Sequence, residues 1–277
     1  MTTTTEQGPT TARRATPAGT ALVVLAVGQL VSGGLVSTLG NSVLTQPDRP
    51  GQPAITPEGY AFSIWGLIEI ASLGLALWLV WFRRRADARG SGSSAVPVID
   101  ALTRPLLVVF AGFTAWLVAS VVEPVVATLA VFLVMGVALA AGLRVAVRAR
   151  GEIRSWSRLG HALVWATLGL YAGWSTVALW INLTATLAFL GAPVSGTAGV
   201  IGQLAVLAGA TATAVVVLRR TAGLLPYAAA VVWALVAATL GAAASGQPLL
   251  AGAAAVGLLV VAATAAVLDL RRRTARA

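Results

Sequence analysis

The sequence contains no cysteine and no lysine, and its one histidine is His161. Without cysteine there can be no disulfide, no thiolate nucleophile and no cysteine-ligated zinc or iron–sulfur centre. A single histidine argues against a histidine-based metal site and against a serine–histidine–aspartate triad. The chain also lacks a phosphate-binding glycine motif and a zinc-protease signature. We therefore expect no catalytic residue, no metal site and no cofactor.

Charged residues are scarce as well, at 10% of the chain, whereas soluble globular proteins carry about 25%. The mean hydropathy is +0.87, and 58% of the residues are hydrophobic. Many of these residues lie in runs of about 18 or more, the length that crosses roughly 30 Å of hydrocarbon. The composition excludes a soluble enzyme and a disordered chain. It predicts an all-α, multi-pass transmembrane helical bundle.

The apolar runs predict eight transmembrane helices. They cover residues 21–43, 58–82, 102–122, 124–146, 159–190, 198–218, 223–244 and 248–269. The fifth run is longer than a straight crossing requires. We expect its helix to end near residues 182–185 and to continue as a short interfacial segment.

Arginine accounts for all nineteen basic residues, and eighteen of them fall in the tails or alternate loops on one side of the membrane. Only Arg49 falls on the other side. Because positively charged loops stay in the cytoplasm, we expect a cell-membrane protein with both termini cytoplasmic. The net charge of +10 forms no basic stripe interleaved with aromatic residues, so we expect no nucleic-acid partner.

One acidic residue, Glu69, lies deep within the second predicted helix. At 1.5 Å per residue its distance from the Glu58 end is about 16 Å, which is near the middle of the membrane. Charge at that depth is costly and marks a candidate functional site, so we expect the carboxyl group to be protonated or hydrogen-bonded. Two interpretations are open: a polar anchor for a ligand or proton-coupled step, and an interhelical hydrogen bond that only stabilises the bundle.

Two helix faces combine aromatic rings with a hydrogen-bonding group, as helical spacing places their residues on one side of each helix. The face on the second span holds Phe62, Trp65 and Glu69, and the face on the fifth span holds Tyr171, Trp174, Ala178 and Asn182. Rings for stacking and a few polar groups for orientation suit a flat amphipathic ligand. The alternative is an ordinary helix interface.

Three segments resemble the TspO/MBR family, the tryptophan-rich sensory proteins related to the mitochondrial translocator protein. PEGYAFSIWGLIE (57–69) is similar to the loop and second helix of that family, and LYAGWSTVALWIN (170–182) is similar to its fifth helix. FTAWLVASVVEP (113–124) resembles its third helix more weakly. The resemblance covers about residues 20–190.

The resemblance implies a five-helix bundle whose cavity is closed by the first loop. Family members bind flat, largely apolar molecules such as porphyrins, and many form dimers. The family motifs place the pocket at Tyr60, Phe62, Trp65, Trp174, Ala178 and Asn182, with Trp116 as a weaker match.

The chain also departs from the family pattern. Two residues separate Phe62 from Trp65 where three are usual, and Glu69 stands where a tyrosine is usual. After Asn182 no tyrosine followed by arginine or lysine occurs, so the proposed sterol-recognition pattern is missing. The last three predicted helices have no counterpart in five-helix members.

These features predict four parts of the chain. They are a disordered cytoplasmic tail (1–19), a TspO-like five-helix bundle (20–192), three additional transmembrane helices (193–270) and a basic cytoplasmic tail (271–277). We expect a membrane-embedded, non-enzymatic protein that binds a flat hydrophobic ligand, such as a porphyrin, for sensing or transport, with a homodimer as one possible assembly. The alternative is a small-molecule exporter or proton-coupled transporter that uses Glu69. A porphyrin-degrading activity, sometimes attributed to the family, also stays open.

Overall fold

The structure is a computed structural model that describes residues 16–39, 52–88, 93–122 and 125–275. Within these ranges the chain is helical and contains no strand. The helices are α1 (Pro17–Leu39), α2 (Ile64–Ala88), α3 (Ala95–Val122), α4 (Val125–Arg148), α5 (Arg150–Ser155), α6 (Arg158–Phe189), α7 (Gly196–Thr221), α8 (Leu225–Ala244) and α9 (Pro248–Thr274). A short 3₁₀ turn (Gly59–Ser63) leads into α2.

Every described helix except the short α5 is long and apolar enough to cross a membrane, which makes eight spans. This confirms the prediction of an all-α, multi-pass bundle. The chain is therefore a helical membrane protein. The short α5 lies in an arginine-rich loop that the hydropathy pattern left without structure.

The helix ends differ from the predicted boundaries at both termini. Helix α1 begins at Pro17, inside the segment assigned to the N-terminal tail, and residues 1–15 lie outside the described residues. At the other end α9 continues through the arginines to Thr274. The predicted division after residue 192 stays a prediction.

Helix α6 runs without interruption over 32 residues, from Arg158 to Phe189. The prediction that it ends near residues 182–185 is wrong. The polar side chains in that segment satisfy themselves within the helix: the Asn182 amide donates to the Ala178 carbonyl at 2.8 Å, and the Thr184 hydroxyl donates to the Trp180 carbonyl at 3.0 Å. Because both polar side chains have hydrogen-bond partners within the helix, the segment can remain helical without contact to other groups.

Helix α6 lies at the centre of the bundle and contacts α2, α4, α7 and α8. Small residues allow the closest of these approaches. A Cβ atom placed on Gly173 would lie 2.4 Å from the backbone oxygen of Tyr227 in α8. Glycine at this position therefore lets α8 pack directly on the backbone of α6.

The segment before α2 is held by helices α7 and α8. The backbone N–H of Ile55 donates to the side-chain oxygen of Gln203 in α7 at 3.2 Å. The indole N–H of Trp233 in α8 donates to the Ala61 carbonyl at 2.9 Å. Helices α7 and α8 therefore help to position the start of α2, where the predicted ligand-binding residues begin.

Candidate functional site

Eight aromatic side chains from four helices and the 3₁₀ turn meet inside the bundle, and we call them the aromatic cluster. Its members are Phe62, Trp65, Phe110, Phe113, Trp116, Phe132, Tyr171 and Trp174. All of them are buried except Phe62, which is half-buried in the 3₁₀ turn at the margin of the cluster.

Trp65 is the centre of the aromatic cluster. Its ring centroid lies 4.6 Å from that of Phe113, 5.5 Å from Tyr171, 5.6 Å from Trp116 and 6.1 Å from Trp174. The rings mostly meet edge-on or tilted, which is the arrangement that aromatic quadrupoles favour. The structure thus brings together the predicted aromatic residues Phe62, Trp65, Trp116, Tyr171 and Trp174.

Two indole groups in the aromatic cluster lack a hydrogen-bond partner. The Nε1 atoms of Trp65 and Trp174 are buried, and neither donates to any group among the described residues. Leaving a buried donor unpaired costs about 1–3 kcal/mol, and such groups are rare in folded proteins. Two of them lie in one cluster, so both donors are available for a hydrogen bond that no described residue supplies.

A polar layer continues from the aromatic cluster toward α1. The Tyr171 hydroxyl donates to the side-chain oxygen of Gln29 at 3.3 Å, and Gln29 is completely buried. The amide nitrogen of Gln29 and the hydroxyls of Ser72 and Ser175 have no partner among the residues described. Sequence reasoning missed Gln29, although an amide within an apolar run was the signal that could have revealed it.

Glu69 lies one helical turn from Trp65 on α2 and is only 6% exposed. Its carboxyl group faces α1 at Gly33, where a Cβ atom would lie 2.7 Å from Oε1. A side chain at residue 33 would therefore collide with the carboxyl group. Glycine at this position lets α1 close over Glu69, which places the carboxyl group at the α1–α2 interface beside the polar layer.

Three predicted site residues lie apart from the ring contacts of the aromatic cluster. Tyr60 is 45% exposed, and its ring packs edge-on against Trp233 at 5.5 Å. Ala178 and Asn182 follow Trp174 by one and two turns of α6 and are half-buried. The Asn182 amide already donates within its own helix. Whether these residues contact a ligand stays a prediction.

A model for the family described as TSPO-like protein matches residues 20–267. The chain belongs to the TSPO-like family. None of the curated proteins and none of the solved structures that were compared matches it. The family match of this TSPO-like protein extends through α7, α8 and most of α9, the helices that the sequence analysis treats as additions.

The described residues at the site of this TSPO-like protein offer stacking surfaces and hydrogen-bond donors. Aromatic faces offer stacking area, and the two indole N–H groups offer fixed donors for an acceptor. Among the residues that the structure describes, no group of three or more histidine, aspartate or glutamate side chains is placed to hold a metal ion.

Proposed function

We propose that this TSPO-like protein binds a flat, largely apolar ligand of the porphyrin type at the aromatic cluster and releases it chemically unchanged. The observation that carries the proposal is the pair of buried indole N–H groups of Trp65 and Trp174, which have no partner among the described residues. Membership in the TSPO-like family supports it. A porphyrin combines a broad apolar ring system with carboxylate acceptors, and the aromatic cluster offers the complementary groups.

The margin of the aromatic cluster at Phe62 is the proposed point of entry. The Phe62 ring meets the Trp174 ring edge-on, with centroids 5.6 Å apart and an angle of 78° between the planes. Phe62 is half-buried and lies on the 3₁₀ turn rather than within a long helix. Movement of this turn would separate the two rings, and a flat ligand could then stack on Trp174 with its acceptors facing the indole donors.

Porphyrin titration of the full chain in detergent micelles tests this proposal. We expect protoporphyrin IX to quench tryptophan fluorescence and not to lose its absorbance over time. Trp65→Phe retains a ring but removes the donor, so its affinity should fall about tenfold or more. The matched control is Trp81→Phe, because Trp81 is 46% exposed and packs against Arg85 on the outer part of α2. Equal affinities in all three proteins would contradict the proposal, and a bleached porphyrin would indicate degradation instead.

A second candidate function is proton-coupled transport through Glu69. The observation that favours it is that the buried Glu69 carboxyl group faces Gly33, one helical turn from Gln29 on α1, and lies one turn from Ser72 on α2. Gln29 and Ser72 each carry a buried polar atom with no partner among the described residues. In liposomes with an imposed pH gradient, a transporter would move porphyrin along the gradient. Glu69→Gln would then abolish flux while binding persisted. Binding without gradient-driven flux would favour a sensing role.

The proposed location is the cell membrane, with both termini in the cytoplasm. Eighteen of the nineteen arginines support this orientation, because basic loops remain on the cytoplasmic side. Reporter fusions after residues 89, 150, 220 and 276 should all report the cytoplasm, and a fusion within residues 46–56 should report the outside. An outside signal after residue 150 or 220 would overturn the orientation.

A further inference from the structure

A cavity of about 700 Å³ lies where the start of α6, the turn between α7 and α8 and the end of α9 meet. We call it the arginine cavity. Five arginines line it: Arg150, Arg154, Arg158, Arg272 and Arg273. The aromatic cluster shares none of the residues that line this cavity, so the two features are separate parts of the molecule.

Two of the arginines are fixed to the wall of the arginine cavity. The Arg150 guanidinium donates to the Thr221 carbonyl at 2.8 Å and lies 5.3 Å from the centre of the Trp165 ring. The Arg272 guanidinium donates to the Gly223 carbonyl at 3.4 Å. These contacts join segments that are distant in sequence. An arginine that only sets membrane orientation does not require such contacts.

The charge of the arginine cavity is predominantly positive. Its one acidic lining residue is Asp269, which accepts from Arg272 at 2.9 Å and from Arg273 at 2.7 Å. Arg154 and Arg158 are exposed and form no ion pair within the part of the chain that the structure describes. Guanidinium groups bind phosphate oxygens through paired hydrogen bonds, so a phosphate group suits this surplus of charge.

Part of the lining of the arginine cavity is apolar. Residues 224–226 (Leu-Leu-Pro) and the Trp165 ring form this part, and Leu225 is 49% exposed. An inorganic anion gains nothing from contact with apolar residues, whereas an amphiphile can place its headgroup on the arginines and its chain on the leucines. The volume lies within the range typical of small-molecule sites, and the ends of membrane helices lie at the depth of lipid headgroups.

We propose that the arginine cavity binds the phosphate headgroup of an anionic phospholipid. Basic pockets between transmembrane helices are suited to such headgroups. The site is independent of the porphyrin-type ligand proposed for the aromatic cluster. A lipid bound here would bridge α6 and α9 across the turn between α7 and α8.

The test compares lipid retention by the purified full chain in neutral detergent, measured by native mass spectrometry. The probes are dioleoylphosphatidylglycerol, dioleoylphosphatidylcholine and inorganic phosphate. The double variant Arg154→Gln with Arg158→Gln should bind phosphatidylglycerol on the order of tenfold more weakly. The matched control, Arg144→Gln with Arg148→Gln, removes the same charge from the exposed end of α4, outside the cavity lining, and should change affinity less than twofold.

Each outcome of this comparison decides the proposal. Preferential retention of phosphatidylglycerol, lost in the first double variant only, would support it. Equal losses of phosphatidylglycerol affinity in both double variants would show that general surface charge causes the effect. Equal retention of the two lipids would show that the net charge of the headgroup does not matter. Displacement of the lipid by millimolar inorganic phosphate would assign the cavity to a free anion, and any of these three results would overturn the proposal. Thermal unfolding without added lipid confirms that the variants remain folded.

Discussion

Replacing Trp174 by phenylalanine should weaken ligand binding and leave the ligand-free protein about as stable as before. Trp174 is 3% exposed, and its Nε1 atom has no partner among the described residues. Removing this donor relieves a penalty of about 1–3 kcal/mol. The smaller ring loses contacts with Phe62 and Trp65 and leaves a small void, at a cost of about 1–2 kcal/mol. The two effects oppose each other, so the net change should stay within about 1 kcal/mol.

Ligand affinity, unlike stability, should change clearly in Trp174→Phe. A hydrogen bond from the indole to a charged acceptor is worth about 1.5–3 kcal/mol. Its loss should raise the dissociation constant for protoporphyrin IX by about 10- to 100-fold. Trp174→Ala is a poorer test, because deleting a buried aromatic side chain costs about 3–5 kcal/mol of stability and would mix unfolding with binding.

Trp180→Phe provides a matched control on the same helix. The Trp180 indole donates to the Thr213 hydroxyl in α7 at 3.2 Å, so this variant breaks a hydrogen bond that exists in the folded chain. We expect a lower midpoint of thermal unfolding in detergent, with an unchanged dissociation constant for porphyrin. If Trp174→Phe destabilises the protein as much as Trp180→Phe does and binds porphyrin as tightly as the unmodified chain, the Trp174 indole is not a donor to the ligand.

Two further predictions concern the neighbours of the aromatic cluster. Gly33→Ala should have a free energy of unfolding about 1 kcal/mol below that of Gly34→Ala, because the new Cβ would lie 2.7 Å from the Glu69 carboxyl oxygen and that side chain would have to shift, whereas the Cβ of Gly34→Ala meets nothing within 4 Å. Chemical or thermal unfolding of both variants measures this, and equal effects would mean that the carboxyl group moves aside freely. Truncation after residue 192 should preserve porphyrin binding but lower thermal stability, because every ring of the aromatic cluster remains while residues 52–63 lose their hydrogen bonds to α7 and α8. A folded, membrane-inserted truncate that binds no porphyrin would contradict it.

The aromatic cluster could be predicted only in part from the sequence. Phe62, Trp65, Tyr171 and Trp174 could be assigned to two helix faces, because the positions that share a face depend on local periodicity alone. Phe110, Phe113 and Phe132 could not be found in this way, because nothing in a uniformly apolar helix says which side meets a neighbour. Gln29 differs from these residues, because an amide within an apolar run is a signal in the sequence, but its partner Tyr171 is 142 residues away in the chain and could not be read from it.

Tyr60 and Trp65 also show the difference between what a local pattern predicts and what contacts between helices decide. The family motif places them together, since they lie five residues apart, yet Tyr60 packs against Trp233 on α8 while Trp65 points into the bundle. Tyr60 lies in the 3₁₀ turn and Trp65 in α2, and the position of α8 determines which partner Tyr60 meets.

The sequence by itself determined the helical class, the eight spans and the one-sided distribution of arginine, because the thickness and polarity of the membrane act on each segment separately. Only the tertiary structure decided that Glu69 faces Gly33 and that Arg150 and Arg272, which are 122 residues apart in the chain, line one cavity. It also decided that two tryptophan donors are left without a partner among the described residues. These features depend on how helices rotate and approach one another, and that is settled by side-chain packing between segments rather than by any pattern within one segment.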